Sequence, residues 1–422
     1  MDRKLRIGVF GGARGNAMIQ ILLRHPDAEL VAVCDKYEPL LRQAEKNAAD
    51  AGLRIATFTD FDEFLEYPMD AVVLANYATE HAIYAIRCLR AGKHVLSEVL
   101  PSETMAQAVE LIETVEETGL VYAYAENYCY MDLTFDMWRR YREGVIGEVS
   151  YAECEYVHDC SASWIDLTYG ETSHWRNHLC PTFYCTHSLG PIITITGKRP
   201  VQVVGFENPP IEEFYRLGHA GGHASGIEMV TLEGGAIVKS IHGPLKLEPA
   251  HTAYKVYGTK GYLGTDTHDG SDCVRVYREH EGRLCEGDNE YLIPKKFVSA
   301  ELAEKSGVTS HGGSDFYPTH FFIEKILGNE DGRWSIDVYT AVDMGICGIL
   351  AHRSILAGNK PIKVPNLRRK EERDEWRHDN ACTNRAVAGD ETLPCSSYPE
   401  RALTPEQAEE NRRLWLSRHP ES

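Results

Sequence analysis

Short apolar runs alternate with amphipathic stretches through the first 125 residues of the chain. The apolar runs at residues 6–10, 29–34, 54–57, 71–75, 94–97 and 120–125 predict strands. Helix-period patterns lie between them, as at 38–51 and at 102–118, where Ser102 is the predicted N-cap. Strands that alternate with helices in this way predict a doubly wound parallel sheet of the Rossmann type.

The pattern changes after residue 130. Residues 147–157, 226–232, 236–241, 253–257 and 274–277 alternate with period two and predict an open, mostly antiparallel sheet. Helical patterns return at 314–327 and 336–357. We therefore predict an α/β domain over 1–128, an α+β domain over 129–365 and a charged tail over 366–422.

The tail ends in a segment with helix signals. Thr404, Pro405 and Gln407 have the spacing of a capping box with proline at the first helical position. Leu414 and Trp415 are large apolar residues on an otherwise polar helix. We expect this helix to dock on the body of the protein or on a second subunit.

Composition and charge exclude several classes of partner. The net charge of −19 disfavours nucleic acid and anionic membranes, which both require a basic surface. No apolar run approaches the roughly 20 residues that span a bilayer, and the charged start MDRKLR has no signal-peptide core behind it. Twelve cysteines without a C-x-x-C spacing indicate reduced thiols and a cytoplasmic protein. No H-x-H or H-E-x-x-H spacing supports a metal site.

A glycine-rich turn follows the first predicted strand and precedes a predicted helix. It consists of Gly11, Gly12, Ala13, Arg14 and Gly15. Glycines let the backbone approach a pyrophosphate at a helix N-terminus, and an acid at the end of the next strand can bind the adenosine ribose. Asp35 is that acid, and its charge would repel a 2′-phosphate. The arrangement predicts a dinucleotide site that prefers NAD over NADP.

Several segments resemble the Gfo/Idh/MocA oxidoreductase family over residues 5–365. They are the GGARG turn, AGKHVLSE at 91–98 and YGTKGYL at 257–263. In that family the strand corresponding to 94–97 is followed by E-K-P, whose lysine usually transfers a proton beside the nicotinamide. This chain has Glu98-Val99-Leu100-Pro101 instead. Because valine cannot move a proton, the difference disfavours an ordinary sugar or polyol dehydrogenase.

A second set of segments resembles the NAD-dependent α-N-acetylgalactosaminidase branch of the family. These are LANYATEHA at 74–82, SEVLP at 97–101, ENYCY at 126–130, HWR at 174–176, YCTHSLGP at 184–191 and HGGSDF at 311–316. Members of that branch keep NAD bound and hydrolyse glycosides by transient oxidation. Cys185 stands where the branch commonly has proline, and the stretch between 158 and 174 is individual. The resemblance therefore does not extend to the identity of the substrate.

The resemblance implies roles for four residues. The Y-x-x-H pair of the branch corresponds to Tyr184 and His187, and its E-N pair corresponds to Glu126 and Asn127. At helical spacing a tyrosine and a histidine three residues apart share one face. Such a pair can deprotonate a sugar hydroxyl as hydride leaves for NAD⁺, provided that an adjacent cation makes the tyrosine more acidic.

The remaining candidates fall into two groups. Glu98 and Glu126 follow predicted strands at the edge where ligands bind, so each either contacts the cofactor or acts as a base; we assign Glu98 to the cofactor and Glu126 to catalysis. The other cofactor candidates are Asn76, His81 and Asn127. The candidates for binding a sugar are His158, His174, Trp175, Arg176 and His311.

Three functions stay open at this point. We favour a redox-neutral glycosidase with tightly bound NAD, acting by oxidation, elimination, water addition and re-reduction. The second hypothesis is a glycoside dehydrogenase that stops at the keto-sugar. The third is a non-catalytic NAD-binding regulator that acts through protein contacts. In each case we expect a homo-oligomer, either a dimer or a tetramer.

Overall fold

The computed structural model describes residues 3–283, 286–295, 300–308 and 310–419. The first elements are β1 (Leu5–Phe10), α1 (Asn16–Leu22), β2 (Ala28–Cys34), α2 (Glu38–Asp50), β3 (Ala56–Phe58), α3 (Phe61–Glu66), β4 (Ala71–Leu74), α4 (His81–Arg90), β5 (His94–Ser97), α5 (Met105–Thr118) and β6 (Tyr122–Tyr124). The middle elements are α6 (Asp132–Arg142), β7 (Val149–Val157), α7 (Trp164–Leu167), α8 (Cys185–Thr196), β8 (Pro200–Glu207), α9 (Glu212–Arg216), β9 (Gly226–Leu232), β10 (Ile237–Gly243), β11 (His251–Gly258), β12 (Gly261–His268), β13 (Ser271–Glu279) and β14 (Gly287–Leu292). The last are α10 (Ala300–Ser306), α11 (Phe316–Leu327), α12 (Val338–Leu356), β15 (Ile362–Lys363), α13 (Lys370–Arg373), α14 (Arg385–Ala388) and α15 (Pro405–Arg418).

The chain divides into two compact units, and both are discontinuous in sequence. The first unit comprises Met1–Asp132 and Lys295–Val342, and the second comprises Leu133–Pro294 and Asp343–Ser422. The first division lies close to the boundary predicted at residue 128. The segment 295–342 differs from the prediction, because we placed it in the second domain and it clusters with the first unit.

The first unit is built on a parallel sheet. Its described strands have the order β3-β2-β1-β4-β5-β6, as expected for a doubly wound fold. Apolar residues of β1, β2 and β4 form the core together with Met18 and Ile19 of α1. Helix α11 completes this core with Phe322 and Ile323, although it follows α1 by some three hundred residues in sequence. The predicted Rossmann sheet is confirmed.

Helix α5 begins later than predicted. Its N-cap is Thr104, whose hydroxyl accepts a hydrogen bond from the Gln107 amide at 3.1 Å, and the helix starts at Met105. The prediction of Ser102 as the cap is therefore wrong. Either residue type can cap a helix, and only Thr104 lies three residues before an amide in helical geometry.

The second unit is built on a larger, mostly antiparallel sheet. Within the described residues its strand order is β14-β13-β12-β11-β7-β10-β9-β8-β15, and only the β7–β10 pair is parallel. Helix α8, which is buried along its whole length, packs on β7, β10 and β11. This confirms the predicted open sheet and shows, among the described residues, four strands that the prediction omitted: β8, β12, β14 and β15.

The tail forms the predicted capping box. The Thr404 hydroxyl accepts from the Gln407 amide at 3.3 Å, and the Gln407 side chain accepts from the Thr404 amide at 3.0 Å. Helix α15 packs against α7 of the same unit, and Trp415 is buried there. Among the helices of the described residues, none combines the length and the apolar character needed to cross a membrane.

Candidate active site

The glycine turn of the first unit has no room for side chains at two positions. Gly11 has φ +98°, and a Cβ on it would lie 2.4 Å from the carbonyl carbon and oxygen of Ala75. A Cβ on Gly15 would lie 2.2 Å from the Gly11 carbonyl oxygen. Both glycines are therefore required by geometry at the point where β1 turns into α1.

Asp35 connects the turn to the end of β2. One carboxylate oxygen accepts from the Gly12 amide at 2.6 Å, and the other accepts from the Tyr37 amide at 2.8 Å. The acid thus fixes the glycine turn from the position where a Rossmann fold binds the adenosine ribose.

Two candidate residues after β4 carry buried polar atoms. The Oδ1 atom of Asn76 has no hydrogen-bond partner among the described groups, and the His81 ring lies near the backbone of Asn76, Glu98 and Leu100. Burial lowers the pKa of His81 to about 4, so its ring is neutral at pH 7. Buried polar atoms without partners are rare in proteins, and together with the glycine turn they fit a polar cofactor such as NAD at this edge of the sheet.

Arg14 of the turn pairs with two buried carboxylates. Its guanidinium donates two hydrogen bonds to Asp315, at 2.7 and 3.0 Å, and lies 2.6 Å from a Glu98 oxygen. The Glu98 side chain is 6% exposed and the Asp315 side chain is fully buried. The arginine therefore connects the turn to the end of β5 and to the start of α11.

The pKa values of Glu98 and Asp315 are shifted in opposite directions. Burial raises the pKa of Glu98, although the charge of Arg14 opposes this effect. Burial would also raise the pKa of Asp315, but hydrogen bonds from His311 and Arg14 outweigh it and hold that pKa well below its usual value. Asp315 consequently carries the negative charge that neutralises Arg14.

Three further predicted residues belong to this cluster in the first unit. The Asn127 amide donates to Asp315 at 2.9 Å, and the His311 Nδ1 atom lies 2.9 Å from the same carboxylate. Glu126 is fully buried, and its carboxylate accepts from the Tyr128 amide at 3.3 Å. His311 was predicted as a sugar ligand, and its described contacts are with residues of the cofactor-binding unit.

Tyr184 in the second unit has a cation on its hydroxyl. The Arg176 guanidinium donates to the Tyr184 oxygen at 2.9 Å, and it also lies over the Trp175 ring at 4.4 Å from the centroid. Tyr184 is the N-cap residue of α8, and His187 is three residues further on. The two rings stack, with centroids 5.5 Å apart and an interplanar angle of 12°.

The His187 carbonyl accepts its hydrogen bond from outside α8, because the SLGP motif contains a proline. Pro191 has no N–H to donate to the carbonyl four residues earlier in α8, which is that of His187. The buried Tyr254 hydroxyl donates to this carbonyl instead, at 2.7 Å. The Tyr156 ring meets the His187 ring edge to face at 4.8 Å.

The other predicted sugar ligands lie around this pair. The His158 Nδ1 atom is 2.9 Å from the Tyr156 hydroxyl. His174 caps the short helix Trp175–His178, because its Nδ1 atom accepts from the Arg176 amide at 3.3 Å. The structure therefore joins His158, His174, Trp175 and Arg176 to the Tyr184–His187 pair through contacts within one unit.

The sequence analysis missed three residues of these clusters. Tyr156 lies two positions before His158 on the face of β7 that α8 covers, and strand alternation is the signal that points to it. Tyr254 follows from the missing N–H of Pro191, but no local signal shows which donor replaces it. Asp315 lies within the HGGSDF segment, where the histidine alone was taken as the candidate.

Two family models match the chain. The oxidoreductase family with an NAD-binding Rossmann fold matches residues 5–126, and the C-terminal domain of glycosyl hydrolase 109 matches residues 220–374. A glycosyl hydrolase family 109 protein of Stenotrophomonas maltophilia is 25% identical over 86% of this chain and 89% of its own length. A glycosyl hydrolase family 109 protein of Solibacter usitatus is 27% identical over 86% of this chain and 88% of its own.

Solved structures agree on the fold. Scyllo-inositol dehydrogenase from Lactobacillus casei aligns with a TM-score of 0.63 at 17% identity, over 86% of this chain and 99% of that one. The aldose-aldose oxidoreductase from Caulobacter crescentus aligns with a TM-score of 0.64 at 18% identity, over 86% and 100%. The N-terminal part of the chain is thus similar to an oxidoreductase family with an NAD-binding Rossmann fold, and its C-terminal part is similar to glycosyl hydrolase family 109. These similarities indicate an NAD-dependent enzyme.

Proposed function

We propose that the protein cleaves a glycoside by transient oxidation of the sugar, with NAD retained through the cycle. The observation that carries the proposal is the Arg176–Tyr184–His187 arrangement. A guanidinium that donates to a phenol oxygen stabilises the phenolate form, and in that form the oxygen can accept a proton. The absence of a lysine after Glu98 leaves this pair as the proton-transfer candidate.

The proposed cycle begins with proton transfer at Tyr184. Tyr184, supported by Arg176 and His187, takes the proton of a sugar hydroxyl as that carbon is oxidised to a ketone. The ketone acidifies the hydrogen on the neighbouring carbon, because the resulting carbanion is stabilised as an enolate. A base removes this proton, the bond to the anomeric leaving group breaks, and the leaving group takes up a proton. Water then adds across the double bond, and the ketone is reduced back to the hydroxyl with the two electrons removed in the first step, so that no net oxidation of the sugar remains.

The cofactor supplies the two-electron chemistry of the cycle when it is bound. The groups that we assign to holding it are the backbone of 11–15, Asp35, Asn76 and His81. Glu98 and Asn127 belong to the same cofactor group through the Arg14 and Asp315 cluster. His158, His174 and Trp175 are assigned to the sugar, because an aromatic platform with polar neighbours suits a sugar ring. Glu126 stays a proposed acid or base.

The experiment uses the purified protein, without added cofactor, on a panel of aryl glycosides in D₂O. Elimination predicts release of the aryl group, deuterium beside the oxidised carbon and no net formation of NADH. The Tyr184→Phe variant should lose release and labelling together, whereas Tyr398→Phe, at an exposed tyrosine, should retain both. A keto-sugar that accumulates without aryl release would instead identify the protein as a glycoside dehydrogenase.

The regulator hypothesis predicts a different result in the same assay. A protein that only binds NAD would give neither deuterium at any sugar carbon nor a keto product with any glycoside. That outcome would contradict both enzymatic proposals.

A further inference from the structure

The C-terminal tail contacts the segment that carries the proposed sugar ligands. We define the loop segment as residues 158–178, which includes α7 and the short helix Trp175–His178. The loop segment and the part of the tail after residue 374 both lie outside the two family matches. These two regions contact each other within the second unit, where α15 packs on α7.

The contacts concentrate on Tyr169 and Gly170. The buried Trp415 ring meets the Tyr169 ring edge to face at 5.6 Å, and the Arg412 guanidinium donates to the Tyr169 carbonyl at 2.7 Å. A Cβ on Gly170 would lie 2.5 Å from the Asn411 carbonyl oxygen, which shows how closely α15 approaches the loop segment. Arg418 adds an ion pair with Asp166 at 2.9 Å.

The backbone at this point has an uncommon conformation. Tyr169 has φ +55°, and Gly170 has φ +61°. Glycine adopts positive φ readily, whereas a bulky residue such as tyrosine does so only when its surroundings hold it there. The Tyr169 ring contacts Trp415 of the tail and His174 of the loop segment.

A short path of contacts leads from Tyr169 to the proposed catalytic tyrosine. The Tyr169 ring meets the His174 ring edge to face at 5.6 Å. His174 caps the short helix through the Arg176 amide, and the Arg176 side chain donates to the Tyr184 hydroxyl. The tail thus supports the residue that fixes the Arg176 backbone.

The loop segment also has a support that does not involve the tail. The Trp164 indole donates to Asn177 at 2.9 Å, and the Asn177 amide donates to the Glu171 carbonyl at 2.8 Å. Trp164 is itself buried against Phe214, with ring centroids 5.0 Å apart. Loss of a tail contact should therefore shift the short helix without unfolding the segment.

We propose that α15 is a positioning element for the active site: Trp415 and Arg412 hold Tyr169, and Tyr169 holds His174 and Arg176 in register with the Tyr184 hydroxyl. The proposal rests on the proposed function only where it treats Tyr184 as the proton-transfer group. Among the described residues, the ring of Trp415 contacts Tyr169, His419 and Arg412, none of which is a proposed ligand, so its role is positioning.

The test measures ionisation of Tyr184 directly and needs no substrate. 3-Fluorotyrosine is incorporated at position 184 of the full chain, and its ¹⁹F shift is followed against pH. Arg176→Gln should raise the midpoint by about 1–3 pH units, because the adjacent cation is lost. Trp415→Ala should raise it by about 0.5–1 unit. Trp415→Phe, which keeps an aromatic edge on Tyr169, should restore most of the original midpoint.

Leu414→Ala is the matched control, because Leu414 is 40% exposed and lies next to Trp415 on the same helix. It should leave the midpoint unchanged. Arg412→Met removes the hydrogen bond to Tyr169 without emptying a buried site, and it should shift the midpoint upward even if Trp415→Ala fails to fold. An unchanged midpoint in both Arg412→Met and Trp415→Ala, or an equal shift in Leu414→Ala, would overturn the proposal.

Activity separates this inference from the proposed function. If glycosides are cleaved, Trp415→Ala should lower kcat about tenfold, move the limb of the pH profile that reports the base to higher pH, and leave NAD content unchanged. If no glycoside is cleaved but the ¹⁹F midpoint shifts as expected, the proposed function fails and the positioning role stands.

Discussion

Replacement of Arg14 by methionine should destabilise the first unit in a pH-dependent manner. The variant removes the cation that faces Glu98 and Asp315 while keeping most of the volume of the side chain. Both acids are deeply buried, with side chains 6% and 0% exposed. Removal of one partner of a buried ion pair costs about 3–5 kcal/mol.

The structure favours the lower end of that range. The Arg14 side chain is 32% exposed, so water screens part of its interaction with the acids. Asp315 also keeps its hydrogen bonds from Asn127 and His311 in the variant. We therefore expect a loss of about 3 kcal/mol in the free energy of unfolding at pH 7.

The pH dependence follows from the sign of the shift in Glu98. Burial already raises the pKa of Glu98 in the folded protein, and loss of Arg14 removes the charge that opposes this shift. A carboxyl whose folded pKa is raised binds a proton more readily in the folded state, so its contribution to stability falls as pH rises. The deficit of the variant should be largest at neutral pH and should shrink as pH falls toward 5.

The assay is urea unfolding at pH 7 and pH 5, with hydrogen exchange of peptides from β1 and α11 to report the first unit. Arg42→Met is the control, because Arg42 forms an exposed pair with Glu38 and should cost no more than about 0.5 kcal/mol. The double variant Arg14→Met with Glu98→Gln should recover part of the loss. A deficit below about 1 kcal/mol, or one equal at both pH values, would refute the reasoning.

Three further predictions follow from other parts of the structure. Gly11→Ala should weaken NAD binding at least about tenfold by calorimetry, because alanine resists φ +98° and its Cβ would meet Ala75; Gly92→Ala, which also has positive φ but open space around it, should not. Tyr184→Phe should lower kcat by about 10²–10⁴ with unchanged NAD content; an active variant would exclude the tyrosine as the base. Burial, together with the His320 ring whose Nδ1 atom lies 3.0 Å from the His25 Nε2 atom, lowers the pKa of His25 from 6.5 to about 3 in the folded protein. The unfolded state therefore binds a proton at His25 more readily than the folded state, and stability falls as pH drops below 6.5. His25→Gln should remove about 1–3 kcal/mol of this acid-induced loss of stability between about pH 6.5 and 4, measured by urea unfolding.

Local patterns were enough to predict the Rossmann sheet. The strand at residues 94–97 was placed at its observed limits, because its apolar centre, Val95 and Leu96, lies between the polar residues His94 and Ser97. The capping box at Thr404 was equally local, since both of its hydrogen bonds lie within four residues.

Pairings between distant segments were not predictable from such patterns. An apolar helix face has the same sequence pattern whichever core it joins. The pattern around Phe322 and Ile323 of α11 therefore could not show that this helix packs into the core of the first unit. Strand β12 contains Gly261, Gly264 and Asp266, which lower its strand propensity, and pairing with β11 and β13 overrides this local preference.

The candidate site shows the same contrast between local motifs and contacts that join distant segments. The residues predicted around Tyr184 and His187 could be picked out because they lie close in sequence and form short motifs. The ion pair of Arg14 with Asp315 joins residues 301 positions apart, and no spacing rule encodes it. The hydrogen bond to the His187 carbonyl was predictable only in part. Pro191 shows that the usual N–H donor is missing, but no local signal shows that the Tyr254 hydroxyl replaces it.

The contribution of α11 to the core of the first unit has a consequence for synthesis of the protein. When the ribosome has made residues 1–132, all six strands of the parallel sheet exist, but the surface later covered by Phe322 and Ile323 is bare. Nearly two hundred residues must be translated before that surface is closed, and apolar surface left open during this interval favours aggregation. A nascent chain of this protein should therefore depend on chaperones longer than one whose Rossmann domain is continuous.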